Sequence, residues 1–475
     1  MRKYDQLYIN GEWTPAHGDS DIELTNPTTQ EVIATFRNAS IEDADRAVAA
    51  AKAAFPAFST TTVDERITML ERILAEYEKR REDFSQALTA EMGAPITLSR
   101  TAQSGLGVAH LERTIAGLKN LQLEERRGPS TILSQPAGVA VLITPWNWPI
   151  NQVFTKVASA FAAGCTMILK PSQFAPLDAQ LFAEVIDAAD IPAGVFNLVY
   201  GPGSSIGRHL TRREDVDVVS FTGSTEAGRQ ISKDAADTIK VVHLELGGKS
   251  PNLILDDADF ETAVTNGVHA CFSNAGQSCS VATRMLVPRD RLDEVAAIAK
   301  RAAESYVVGD PTDEATTMGP IVNPKQWASI QGYIEKGIEE GAILVTGGPG
   351  KPEGLETGNY CKPTIFSNVA PDATIAQEEI FGPVLSIIGY DTEEEAIEIA
   401  NDSIYGLASV VQSSDKERAM RVARQIQAGH VYINHHFDEY AAVPVGGWKQ
   451  SGLGYEHDEW GIKGFLLNKA VLGAN

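Results

Sequence analysis

The chain has 475 residues, with 40 Lys and Arg against 63 Asp and Glu, a formal net charge of −23. Hydrophobic residues make up 43% and charged residues 22%, a globular balance that excludes disordered, collagen-like and disulfide-scaffold chains. The acidic balance argues against nucleic acid, whose phosphates need a cationic face, and against an anionic membrane surface.

At about 150 residues per domain, two to four domains are expected. The four cysteines, Cys165, Cys271, Cys279 and Cys361, are too scattered for a disulfide framework or a zinc site. The opening Met1-Arg2-Lys3-Tyr4-Asp5-Gln6 lacks a signal-peptide stretch, and no apolar run reaches the roughly 18 residues of a membrane span. A cytoplasmic protein with reduced thiols is expected.

In chain order, Ser40-Ile41-Glu42-Asp43 has the pattern of a capping box and opens a helix running to Phe55. A second helix is predicted from near Val63 to Lys79, where Met69, Leu70, Ile73 and Leu74 recur at spacings of three and four. Residues 124–130 are polar and broken by Gly128-Pro129, so they read as a turn or crossing ribbon. From 138 to 246 predicted strands at 139–143, 166–169, 196–199, 216–221 and 240–244 alternate with helices at 151–163, 177–188, 204–210 and 225–236. That alternation builds βαβ units and a parallel sheet, whose ligands sit beyond the carboxyl ends of its strands. A second α/β segment, about 252 to 445, carries strand-like runs at 251–255, 342–345, 384–389, 408–412 and 429–434, with helices such as 292–305 and 393–401. The Gly347–Gly354 stretch reads as a surface loop.

Chemistry is sought in the loops after these strands. Cys279 follows small polar residues in Asn274-Ala275-Gly276-Gln277-Ser278, where a thiolate nucleophile is accessible if the site lowers its pKa or supplies a base; the plain alternative is an inert buried thiol, as for the other three cysteines. Glu245 ends a strand between two leucines, where desolvation would raise it toward a general base, or it pairs with Lys249 on the surface. Asn147, in Thr144-Pro145-Trp146-Asn147-Trp148-Pro149, is an oxyanion donor or merely a helix cap. The glycine clusters Gly201–Gly207 and Gly223–Gly228, and Lys170-Pro171-Ser172, could approach phosphate or ribose at helix N-termini. There is no metal-ligand spacing, and the pair His435-His436 is read as incidental.

Taken together and in this order, the sequence resembles the aldehyde dehydrogenase superfamily over nearly its whole length. The resemblance is carried by Pro145-Trp146-Asn147-Trp148-Pro149, Lys170-Pro171-Ser172, Phe221-Thr222-Gly223-Ser224-Thr225, Leu244-Glu245-Leu246-Gly247-Gly248-Lys249 and Gly276-Gln277-Ser278-Cys279. It continues in Glu378-Glu379-Ile380-Phe381-Gly382-Pro383-Val384, in Asn401 with Tyr405-Gly406-Leu407, and in Gly446-Gly447-Trp448-Lys449-Gln450-Ser451-Gly452. The likeness implies an α/β fold with a Rossmann-like parallel-sheet cofactor domain, an α/β catalytic domain and a small β bridging or oligomerisation element. Their expected limits are 1–118 with 137–246, 247–445, and 119–136 with 460–475.

The resemblance further implies NAD- or NADP-dependent oxidation of an aldehyde by a hydrolytic route. Cys279 is the implied nucleophile, Glu245 the base, Asn147 the oxyanion donor, and Lys156 and Glu456 a proton route from the base. Lys170 and Gln173 would face the adenosine ribose, with Gly203 and Gly207 on the same side and Ser172 beside them. Thr144, Pro145, Trp146, Phe221 and Leu246 join the implied cofactor set. Gly223 and Ser224 would approach the pyrophosphate, Glu379 would hold the nicotinamide ribose, and Phe381 would pack nearby. CoA-acylating relatives lack the glutamate, so Glu245 implies a free acid as product; a CoA-acylating semialdehyde dehydrogenase and a catalytically silent cofactor-binding scaffold are the alternatives. A homodimer or homotetramer is implied, with no nucleic-acid or membrane partner and no metal.

The chain departs from the pattern at three positions. Gln173 replaces the usual Glu, which opens the way to NADP. Trp148 replaces a common Phe, and Thr155 stands where many members carry Trp. With Asn151 and Gln152, Thr155 makes the expected pocket polar, suited to a polar or carbonyl-bearing tail, and it removes an aromatic wall that a quaternary ammonium would need.

Overall fold

A computed structural model of the chain describes residues 2–435 and 443–473. His436 of the His435-His436 pair, and the expected outer limits at residues 1 and 475, lie outside the described residues. Among the described residues no helix is long and apolar enough to cross a membrane, and no group of three or more His, Cys, Asp or Glu is placed to hold a metal.

An eight-stranded sheet runs in the order Gly452–Leu453, Val241–Glu245, Val218–Thr222, Val139–Ile143, Thr166–Lys170, Phe196–Leu198, Gln6–Ile9, Glu12–Pro15. The five middle strands pair parallel and the edges antiparallel. Val139–Ile143, Thr166–Lys170 and Val218–Thr222 are buried throughout, as parallel strands covered on both faces must be. The five expected strands are all present, shifted by at most two residues. The chain steps outward from Val139–Ile143 to Phe196–Leu198, then crosses back to lay Val218–Thr222 on its other side. That reversal opens a crevice at the carboxyl ends of Val139–Ile143 and Val218–Thr222, the place where such sheets bind ligands.

A seven-stranded sheet follows, ordered Ile343–Thr346, Thr364–Ser367, Val384–Tyr390, Arg284–Pro288, Pro251–Ile254, Ala408–Gln412, His430–Ile433. All its pairs are parallel except the first. Its central strand, Arg284–Pro288, and Thr364–Ser367 were not expected from the sequence: each offers only a short apolar run between polar or proline flanks. Each large sheet has its own apolar core.

Residues 124–130 are the arm and turn of a hairpin, Glu124–Arg127 against Ser130–Pro136, with Gly128 at φ 60° in the turn. Leu466–Val471 adds an outer strand to that hairpin, its side chains mostly exposed. The capping box at Ser40 forms as expected: its Oγ accepts from Asp43 N at 3.1 Å, and Asp43 Oδ2 accepts from Ser40 N at 2.9 Å. The helix it opens is Ile41–Phe58, a turn's length past the expected end, and the next is Val63–Lys79 as predicted.

Candidate active site

The loop that carries Cys279 is set by tight backbone geometry. After the helix Phe260–Phe272, Asn274 and Ala275 take left-handed conformations, with φ 54° and 55°. Gly276 follows at φ 70°, and a Cβ there would lie 2.2 Å from the Gly382 carbonyl oxygen, so only glycine fits. Gln277 then staples the loop, donating to Asn274 O at 3.1 Å and accepting from Val322 N at 3.0 Å. Cys279 emerges from this loop as the one cysteine of the four that is not fully buried.

The loop after Val139–Ile143 meets it directly. Asn147 Nδ2 donates to Gln277 O at 3.0 Å, Asn274 Nδ2 donates to Asn147 O at 2.8 Å, and Trp148 Nε1 donates to Ser278 Oγ at 2.6 Å. The helix Pro149–Ala163 takes Trp148 as its N-cap with no side-chain cap bond, so Asn147 does not serve as that cap.

Glu245 ends its strand buried, 6% exposed, and its Oε1 has no hydrogen-bond partner. Burial pushes its carboxyl well above the usual range, the Glu456 carboxylate pushes the same way, and the Lys156 ammonium opposes. Lys156 and Glu456 form a buried ion pair beside it. A surface pairing with Lys249 is overturned: that ammonium is itself buried without a partner, and burial pushes it down to about 7.

The Cys279 thiol is pushed up to about 12 by burial, with the carboxyls of Glu379, Glu245 and Glu456 adding to the effect. Of the two routes to a thiolate, a lowered pKa or a nearby base, the first is not what these surroundings provide.

The remaining residues fall into smaller groups. Thr144 N bonds Lys170 O at 3.3 Å, and Lys170, buried and pushed down to about 8, donates to Pro171 O at 2.7 Å. The Lys170 methylenes lie 3.4 Å from where a Gly207 Cβ would sit. Ser172 Oγ accepts from Phe174 N at 3.2 Å, with Gln173 half-buried between them in the chain. Phe221 lies over Gly223, whose amide donates to Glu245 O at 3.0 Å; Ser224 caps the helix Thr225–Ala236; Leu246 packs on Gly228. Glu379 Oε1 accepts from Gly248 N at 2.9 Å, and burial raises that carboxyl to about 7. Phe381, held at φ 57°, meets Trp146 edge-on at 5.4 Å, and Pro145 is half-buried beside it in the chain. Gly203 stands apart, exposed, with open space where a Cβ would go.

The aldehyde dehydrogenase family model matches residues 13–471. The chain belongs to the aldehyde dehydrogenase family. It is 47% identical to a 3-succinoylsemialdehyde-pyridine dehydrogenase of a Pseudomonas species, over 100% of this chain and 99% of that protein. Its fold is similar to aldehyde dehydrogenase C of Pseudomonas syringae, a cysteine-to-alanine variant in complex with NAD+ and octanal. The TM-score is 0.98 at 46% identity, covering 99% of this chain and 97% of that one. An aldehyde dehydrogenase of Mycobacterium tuberculosis complexed with NAD+ is similar at TM-score 0.96 and 40% identity, covering 99% and 98%. The protein is thus an aldehyde-oxidising oxidoreductase, and neither acyl transfer to CoA nor a silent scaffold is favoured.

Within this aldehyde dehydrogenase several contacts were not foreseen. Gln103 reaches Asn147 O and Asn274 Oδ1, each at 3.4 Å, from a distant helix that carries no motif. His110 bonds Asn151 Oδ1 and meets the His457 ring at 4.6 Å, and burial pushes both imidazoles down to about 3, so they are neutral. Gln277 lay inside a quoted motif, and its stapling role could have been sought there.

Proposed function

We propose that the protein oxidises aldehydes to free carboxylic acids with NAD+, and accepts NADP+ as well, through a thioester on Cys279. The observation that carries the reading is the convergence of Cys279, Asn147 and Glu245 at the reversal point of the parallel sheet. The cofactor's fit is supported by the donor set: the Glu379 carboxyl is fixed by Gly248 N at 2.9 Å and packed against Gly247, where a Cβ would lie 2.5 Å from its Oε2. Glu379 would hold one ribose, Lys170, Ser172 and Gln173 the other, and Gly223 with the Ser224-capped helix the pyrophosphate. When bound, the nicotinamide ring would supply the hydride acceptor.

Glu245, proton-hungry through burial, draws the proton from Cys279, and the thiolate attacks the aldehyde carbon. Asn147 Nδ2 has two protons and gives one to Gln277; the other, with the Cys279 amide, holds the oxyanion, each donor contributing about 3 kcal/mol. Once hydride has left, the acyl group remains on Cys279. The Lys156–Glu456 pair passes that first proton outward, and Glu245, ionised again, takes a proton from a water that cleaves the thioester and releases the acid and the Cys279 sulfur.

Asn151, Gln152, Thr155 and neutral His110 support a substrate with an uncharged polar or carbonyl-bearing tail. The pair of sheets is read as the cofactor domain, 1–118 with 137–246, and the catalytic domain, 247–445. The element 119–136 with 460–475 would extend a partner's sheet through the edge strand Leu466–Val471, giving a cytoplasmic homodimer or homotetramer. Steady-state kinetics on alkyl, aromatic, keto and acid-bearing aldehydes with each dinucleotide test this, with acid product measured with and without CoA. Reduced cofactor without free acid would refute it.

A further inference from the structure

The motif Gly446–Gly452 has no part in the steps above, yet it reaches the centre of the site. Ser451 within it is fully buried. Its hydroxyl donates to Gly247 O at 2.6 Å and accepts from Gly406 N at 2.9 Å, and its carbonyl accepts from Leu246 N at 2.8 Å. Ser451 therefore grips the main chain on both sides of Leu246, directly after Glu245.

The gripped turn touches everything that must be in register. Gly248 N holds Glu379, and a Cβ on Gly248 would lie 2.2 Å from the Cys279 carbonyl oxygen. The motif's glycines make the grip possible. A Cβ on Gly447 would lie 2.3 Å from the Ser451 carbonyl carbon, and one on Gly452 would lie 2.4 Å from Leu244 O. Gly452–Leu453 then pairs antiparallel with the end of the Glu245 strand, Glu245 opposite Gly452.

We propose that Ser451 is a positioning residue: by clamping the Leu246–Gly248 turn it sets Glu245 and Glu379 in register with Cys279, so that cofactor hold and thioester hydrolysis depend on one hydroxyl. This rests on the roles given above to those three residues.

Ser451→Ala leaves a buried carbonyl without its donor and a buried amide without its acceptor. The full-length enzyme and its Ser451→Ala and Ser451→Thr variants are compared by pre-steady-state and steady-state reduced-cofactor formation, with active sites titrated from the burst. Ser451→Ala is expected to raise KM for NAD+ about fivefold and slow the steady-state rate per titrated site about tenfold, leaving a clear burst of one equivalent. Ser451→Thr, which keeps the hydroxyl, restores both to within about twofold; should threonine fail to fold, Ser451→Cys is expected between wild type and alanine.

Wild-type constants per active site in Ser451→Ala overturn the proposal, even if its thermal midpoint falls, since that is the mark of a merely structural residue. Wild type that forms no reduced cofactor with any aldehyde overturns the functional reading instead.

Discussion

Two clusters of buried acids among the described residues invite comparison, and one of the two reads as chemistry. Glu245 stands beside the Lys156–Glu456 pair, with an unbonded carboxyl oxygen and within electrostatic reach of a partly exposed thiol. Glu91 and Asp178, each 1% exposed, lie at the start of the helix Pro176–Ala188. Glu91 accepts from Leu177 N at 2.8 Å and from Asp178 N at 3.2 Å. Burial raises the carboxyls of Glu245, Glu91 and Asp178 alike far above their usual range. A displaced proton affinity therefore does not mark catalysis by itself. The Glu91 lone pairs, committed to a helix N-terminus, make an anchor. Both Asp178 oxygens lack a hydrogen-bond partner as the Glu245 Oε1 does, so an open lone pair makes a base only where a nucleophile stands within reach. The four thiols repeat the lesson, all raised to between about 11 and about 12, with access alone separating Cys279 from Cys165, Cys271 and Cys361.

The strongest way to break this contrast is Cys279→Ala, expected to lower reduced-cofactor formation by roughly a thousandfold or more, measured by stopped flow. Glu245→Gln comes next. It keeps the shape and removes the base for both proton transfers, so the first equivalent of reduced cofactor forms more slowly and the steady-state rate falls roughly a hundredfold to ten-thousandfold. Asp178→Asn, in the same assay, leaves kcat within about twofold, because the anchor takes no part in proton transfer. The wild-type rate itself rises with pH through neutrality, since Glu245 and Cys279 are both raised and both act deprotonated. A rate falling over that range in a pH profile would contradict the assignment of both.

The anchor shows itself in stability instead. Its acids are raised in the folded state above the ordinary carboxylate value near 4, so their contribution is full at acid pH and is lost as pH rises through the folded value. Wild type is expected to lose at least a few degrees of thermal midpoint from about pH 5 upward, and Asp178→Asn to flatten that loss. Calorimetry across the range decides it; an equally steep decline in the variant would mean that the pair does not hold the proton.

The contrast between the clusters also marks what the chain makes legible. Glu245 and Asn147 were readable because each sits in a short motif at a strand end, and strand ends follow from local patterning; Cys279, in a loop after a helix, was readable from the small polar residues before it. The parallel strands of 138–246 were readable because each is a compact apolar run. The central strand Arg284–Pro288 was not, because it opens with an arginine whose guanidinium is satisfied only in the fold, by the carbonyls of Lys249, Ile399 and Ala400, each at 2.8 Å. The helix Ser104–Asn120 was hidden by Gly105, Gly107 and Gly117. Two of those glycines have reasons that are purely tertiary. A Cβ on Gly107 would lie 2.7 Å from the Phe154 ring, and one on Gly117 would lie 2.2 Å from Asp458 Oδ1. The Glu91–Asp178 pair is likewise invisible in sequence, since its members are 87 residues apart and neither belongs to a motif.

A further expected effect joins the anchor to the cofactor loop. The helix that Glu91 anchors begins just after the loop carrying Ser172 and Gln173, so the anchor fixes where Gln173 stands relative to buried Lys170. A neutral amide there neither repels a 2′-phosphate nor takes full advantage of a 2′-hydroxyl. Gln173→Glu adds a charge that does both. It is expected to lower kcat/KM for NADP+ about tenfold and change that for NAD+ by less than about threefold, with kcat untouched because the chemistry lies at the other end of the cofactor. The two cofactors titrated side by side check it. Equal losses for both would place Gln173 away from the ribose and return it to the anchor's side of the comparison, as a residue that shapes the loop.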